Sequence, residues 1–169
     1  MKRTKIGSLM YSLTMAICGW LTKCRPAFWV LTFTWGIIGT LFGLIAYFFV
    51  SVIAKKQIRG VYYGYRYIQF GDNWGGLEGG PVFFVAMNMG HDWTEHTKHH
   101  EIGHSFQNAI YGPFALLLIM IPSAIRYWVF RYRTKHGKQN PEYDSAWFEQ
   151  SATDLGDKYV AERDEAEDD

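Results

Sequence analysis

Two cysteines in 169 residues, Cys18 and Cys24, are too few for a disulfide framework or a cysteine zinc site. No GxxxxGK[ST] phosphate loop occurs among the 17 glycines, and no serine sits in a GxSxG elbow. Nucleotide hydrolysis and serine-esterase chemistry therefore have no carrier here. Low-complexity tracts are absent, while apolar residues make up 49% and aromatics 18% of the chain, which excludes a disordered or collagenous protein. The length suits one compact unit. Net charge is almost missing too, at +1, but only because two opposite regions cancel. Residues 1–138 carry 15 basic and 5 acidic groups, a balance of +10, and residues 139–169 carry 2 and 11, a balance of −9.

Charge of either sign is absent from Ala27 to Ala54, 28 consecutive residues. About 20 apolar residues span a bilayer core, so this run is expected to be a transmembrane helix. Gly39 and Gly43 within it form a GxxxG pattern that allows another helix to approach closely. Residues 6–21 are also uncharged, and the short break at residues 22–26 predicts an N-terminal helical hairpin over 1–56. Residues 60–90 change character: Val61-Tyr62-Tyr63 and residues 81–85 read as two short strands around a glycine-rich loop, a β-hairpin. From Ser105 to Ile125 no charge occurs, yet Pro113 and Pro122 interrupt the run. That predicts a re-entrant or partly buried apolar helix over 112–130. Arg126, Arg131, Arg133, Lys135 and Lys138 follow, interleaved with Tyr127, Trp128 and Tyr132. By position this is a membrane-water boundary rather than a nucleic-acid patch. Residues 143–161 read as a C-terminal helix, and the acidic block 162–169 as a disordered tail. The fold class expected is thus a mostly α membrane protein, with an anchoring hairpin (1–56) and a metal-binding unit (57–161).

Five of the six histidines fall within residues 91–104. His100-Glu101-Ile102-Gly103-His104 is an HExxH match. On a helix, positions i and i+4 share a face, so His100 and His104 can grip one Zn2+ together, with Glu101 beside the open coordination position as the base. Gly103 costs a helix interior about 1 kcal/mol against Ala, so close approach of the strand or of a substrate backbone to the metal, or tight packing against a neighbouring membrane helix, should compensate.

Residues 79–125 resemble small bacterial membrane proteins of the zincin type. The likeness is carried by Gly79-Gly80-Pro81-Val82-Phe83-Phe84, by His100-Glu101-Ile102-Gly103-His104-Ser105-Phe106-Gln107, by Gly112-Pro113 and by Ile121-Pro122-Ser123. It extends to Glu149 and to Leu155-Gly156. Ile102 stands where that group usually has Tyr, at a position that is not a ligand. The resemblance implies zinc and peptide hydrolysis without naming a substrate.

Catalytic zinc usually takes three protein ligands and a water. Glu149 is the expected third, because it shares a helical face with Ala152, Thr153 and Gly156, whose small side chains would let that helix lie close to the first. The run Glu149-Gln150-Ser151-Ala152 also resembles the gluzincin Glu-x-x-Ala segment. His96, His99 and Asp144 are the alternatives, and Asp154 is a candidate to orient a ligating histidine. The reading is a membrane-embedded zinc metallopeptidase acting on a peptide or membrane-protein substrate, with Glu101 catalytic and His100, His104 and Glu149 on the metal. Basic residues flanking the apolar runs put the site on the cytoplasmic face of a bacterial inner membrane. The alternative is a non-catalytic membrane protein whose histidines bind metal for transport or assembly.

Overall fold

In a computed structural model describing residues 4–168, Thr4 opens the first helix, its hydroxyl accepting the Gly7 N–H at 3.1 Å. Such a cap satisfies one of the free donors at a helix start. Helix α1 runs Lys5–Leu21. Helix α2, Arg25–Phe33, carries Pro26 in its first turn, where the missing N–H costs nothing. The apolar run then breaks, and α3, Ile37–Ile53, leaves at 82° to α2. Residues 27–54 are therefore not one helix, and the expected N-terminal hairpin is three helices. The break has a local cause. Thr34 turns its hydroxyl back onto Val30 O at 2.6 Å, which bends helices, and Gly36 donates to Leu31 O at 2.8 Å. Trp35 is pulled away to donate from Nε1 to Ile110 O at 3.0 Å.

The expected β-hairpin is a four-stranded mixed sheet: β1 Gln57–Tyr62, β2 Tyr65–Asp72, β3 Gly76–Gly79 and β4 Val82–Met87, in the order β1-β2-β4-β3. Tyr63 and Gly64, at φ 46° and 84°, turn β1 into β2 with both central residues left-handed, as two-residue hairpins require. β2 and β4 run parallel, and β3 is an edge. Helix α4, His91–Tyr111, follows. Gly112 then takes φ 52°, and after a 3₁₀ turn at Gly112–Phe114 and a π-helical turn at Leu116–Met120 the chain enters α5, Ile121–Lys135, 117° away from α4. Over 112–130 the segment is partly buried, through Gly112, Ala115 and Ile119, while no residue of α5 itself is fully buried. Helix α6 spans Trp147–Asp168, so the acidic run 162–168, expected to be disordered, is helical. Among the described residues the fold is mostly helical, six α-helices and one small mixed sheet.

One core joins these parts. Cys18, Leu21, Phe28, Tyr65, Phe83, Ile102, Phe106, Leu155 and Tyr159 are all buried together, so α1 and α2 belong to the same body as the sheet, α4 and α6. α1 is tied to α6 by Tyr11 donating to Asp154 at 2.5 Å and by Lys158 donating to Gly19 O at 2.7 Å. Asp154 thus faces α1 and orients no histidine of α4.

α4 and α6 cross at two glycines. A Cβ at Gly103 would collide with the Ala152 carbonyl, and one at Gly156 with the His99 carbonyl. The partner that Gly103 admits is the α6 backbone. Gly103→Ala should lower stability by about 2–3 kcal/mol, since overpacking against backbone cannot relax by a rotamer change. Thermal unfolding of the two proteins checks this; an unchanged midpoint would mean the helices separate without cost.

α3 is packed inside out. Its buried residues are Gly39, Thr40 and Gly43, while Phe48 and Val52 are 65% and 70% exposed. Gly39 receives the Asn108 side chain of α4 and Gly43 lies on Gly79 of β3, so the GxxxG pair admits an amide and a strand rather than a second helix. Among the described residues no single helix is long and apolar enough to cross a membrane; two bent pairs, α2 with α3 and α4 with the segment after Gly112, meet that test together.

Candidate metal centre

α4 presents His100 and His104 one turn apart, as its periodicity requires. α6 brings Glu149 to them from its first turn. His100 Nε2 lies 3.0 Å from Glu149 Oε2 and 3.1 Å from His104 Nε2, and His104 Nε2 is 3.4 Å from the same carboxylate oxygen. Zinc bonds of about 2.0–2.1 Å in tetrahedral geometry separate neighbouring ligand atoms by about 3.3 Å. The three atoms therefore already form one face of such a tetrahedron. All three residues are buried, Glu149 completely, and Glu149 Oε1 has no hydrogen-bond partner. A buried carboxylate oxygen left unpaired beside two imidazoles is a donor set that suits a divalent cation.

The outer nitrogens of both rings are held. Gln107 donates from Nε2 to Phe148 O and to Ser151 Oγ, each at 2.8 Å, which turns its Oε1 toward His104 Nδ1 at 2.8 Å. His104 must donate there, leaving the Nε2 lone pair free for a metal. Thr153 Oγ1 lies 2.9 Å from His100 Nδ1. Thr153 thus occupies the role expected of Asp154. Gln107 also ties the residue before Glu149 to α4, so one side chain sets a ring and a ligand helix together.

In the metal-free site the three groups share one titratable proton, beyond the ring N–H of each neutral imidazole. Burial pushes His100 down. Burial also opposes a charge on His104, but the hydrogen bond and charge of Glu149 outweigh it and carry His104 up to about 9. Glu149 resists burial through its bonds to both histidines and stays well below the usual carboxylate range. Zinc must displace the His104 proton. Apparent zinc affinity should then rise about tenfold per pH unit from pH 7 and level off near pH 9. Competition titrations at several pH values test this, and a flat profile would contradict the shared proton. In the metal-free protein the raised His104 stabilises the fold fully below its unfolded value of about 6.5, and that contribution is lost as pH climbs through about 9.

Glu101 sits beside this face. Its carboxyl fills the space over Gly76, where a Cβ would collide with Oε1. Burial, eased by His104 and reinforced by Glu149 and Glu78, pushes it up to about 8. Glu78 is a second buried carboxyl near His104, raised by burial to about 7 although the Gly80 N–H donates to it. Sequence reading missed Glu78, because a lone Glu among glycines carries no periodic signal. It also missed Thr153's contact and the part played by Tyr143, whose phenol burial and the charges of Glu149 and Glu101 push up.

The other candidates lie apart. His99 faces away, with Nδ1 2.8 Å from Asp157 Oδ1 and Nε2 2.8 Å from the Tyr62 hydroxyl. His96 is exposed, its ring centroid 6.4 Å from that of His100. Asp144 acts on His100 only through its charge. Among the described residues, His100, His104 and Glu149 are the group with metal-binding geometry.

No family model, curated protein or solved structure matches the chain.

Proposed function

We propose that this chain is a membrane-embedded zinc metallopeptidase, with the ion on His100, His104 and Glu149 and with Glu101 as the catalytic base. The observation that carries this reading is the convergence of two Nε2 atoms and a carboxylate oxygen within 3.0–3.4 Å beside a buried, raised Glu101. When bound, zinc supplies Lewis acidity, polarising a carbonyl and bringing a water molecule's pKa toward neutrality. Glu101 accepts the proton of the attacking water and delivers it to the leaving amine. A carboxyl pushed up to about 8 by burial is drawn back toward its working range by a neighbouring cation. β3 is the edge of the sheet, and Gly76 on it touches Glu101. An extended peptide adding to that edge would lay its backbone past the base. The resemblance to zincin-type membrane proteins points the same way.

The bilayer enters through α3, whose large apolar residues face outward while its glycines and Thr40 face inward. Water would not stabilise such a surface, and lipid does. Lys55, Lys56 and Arg59 follow α3 directly, which supports a cytoplasmic site at an inner membrane. The test is direct: zinc-loaded protein in detergent or nanodiscs, given a library of quenched apolar peptides. Cleavage should vanish with a chelator and return with zinc. A loaded, folded protein that cleaves none of the library would sink the peptidase assignment.

A further inference from the structure

α5 has no fully buried residue and meets the body through hydrogen bonds of two arginines and two ring contacts, one of them Phe130 edge-on to Tyr143 with centroids 5.7 Å apart. At one end, Arg126 donates to Tyr143 O at 2.8 Å, to Glu142 O at 2.6 Å and to Ser145 Oγ at 2.8 Å, with its guanidinium 5.6 Å from the Tyr143 ring centre. Tyr143 in turn feels the charges of both Glu149 and Glu101 and bonds to Ser123. Toward its other end, Arg131 donates to Asn73 O and, at 2.7 Å, to the Tyr127 hydroxyl. The Tyr127 ring lies against Gly75, where an added Cβ would be 3.6 Å from it, and the next residue, Gly76, touches Glu101. The helix therefore joins two segments that each reach the centre, one through Tyr143 and the other through Gly76 and Glu101. The ligands and Glu101 are all less than a tenth exposed, so a substrate needs this bridge to give.

The outer face of the same helix is unpartnered. Ile121, Ile125, Trp128, Val129 and Tyr132 form a stripe at helical spacing, from 42% to 67% exposed. Residues 121–138 hold Arg126, Arg131, Arg133, Lys135 and Lys138 and no acidic residue. An apolar stripe flanked by cations is the pattern that lies in the interface of an anionic bilayer. Leu116, Leu117 and Leu118, also exposed, continue it.

We propose that α5 is a membrane-sensing strap: its apolar stripe and basic flank dock on an anionic lipid surface, and docking draws Arg126, Tyr127 and Arg131 off the mouth of the site. The proposal rests on the metal-centre reading for its location, and its test needs neither metal nor turnover. Metal-free protein in nanodiscs of phosphatidylcholine, with or without phosphatidylglycerol, is treated with diethyl pyrocarbonate, and modification of His100 and His104 is followed by peptide mass. Anionic discs should speed modification by about fivefold, the factor that one lipid-attracted basic side chain is worth. Trp128→Glu and Ile125→Glu, both on the outer face, should abolish that acceleration without slowing the basal rate. Arg126→Ala should react fast in both kinds of disc. Equal wild-type rates in the two discs, or a lipid response that survives Trp128→Glu, would overturn the proposal. A protein that shows the lipid response yet binds no zinc would instead refute the metal centre alone.

Discussion

Glu149→Ala should weaken zinc binding by more than about a hundredfold, since loss of a mere supporting hydrogen bond at such sites already costs 10–100-fold. The reason is geometric. Oε2 of Glu149 supplies the third corner of a face whose other two corners are His100 and His104 Nε2, and no other carboxylate or imidazole among the described residues converges there. His99 and Asp144 are the nearest substitutes by sequence. His99 is committed to Asp157 and Tyr62. Glu142→Ala, an exposed change seven residues earlier, should leave zinc content unchanged and serves as the control. Metal analysis after dialysis reads both. Zinc retained in full by Glu149→Ala would mean the third ligand is elsewhere. Because Glu149 is ionised and fully buried, its removal also leaves His104 without the partner that raises it, so the residual affinity should lose its pH dependence.

Glu101→Gln should keep the metal and lose turnover, by about 10²–10⁴-fold, the usual contribution of a positioned general base. Gln matches Glu in shape, fills the same space over Gly76 and removes only the capacity to take a proton. Burial drives that carboxyl up to about 8, and replacing it by a neutral amide relieves a desolvation cost, so stability should rise or hold. Zinc content, melting temperature and peptide cleavage measured together separate the readings. In either case zinc content should hold and the melting temperature should hold or rise. A metal carrier would show no effect beyond that, whereas a peptidase would also lose cleavage.

Much of the site was legible because it follows a single helical period. His100 and His104 are paired by 3.6-residue geometry whatever surrounds them, and the small residues at 152, 153 and 156 announced a close helix crossing before its partner was known. Gly103 signalled a close approach, but its partner is the α6 backbone rather than the strand or a substrate. Thr153 shows where spacing arguments stop: it and Asp154 are adjacent, and only the rotation of α6 against α4 decides that the hydroxyl meets His100 while the carboxylate meets Tyr11. The sheet was harder still. β2 and β4 pair directly in parallel although β3 comes between them in sequence, and no local pattern in a glycine-rich stretch encodes a non-sequential pairing.

The apolar run 27–54 divides the same way. Its composition determined that this part of the chain would be apolar and helical, and in α3 the large side chains lie outward. The bend at Thr34-Trp35-Gly36 was decided by tertiary contacts. Trp35 reaches Ile110 O on α4, and Gly112, at the second bend, sits under the same indole. Two weak points in separate helices thus break where they meet. Hydropathy is a sum over residues and registers length; it cannot register a hydrogen bond between positions 75 residues apart. The sequence by itself determined the chemistry of the centre, because ligand type and helical spacing are local. Spacing also favoured Glu149 as their carboxylate, but the tertiary structure alone decided which groups hold the rings and that Asp154 is not among them, because that depends on how α4 and α6 are set against one another.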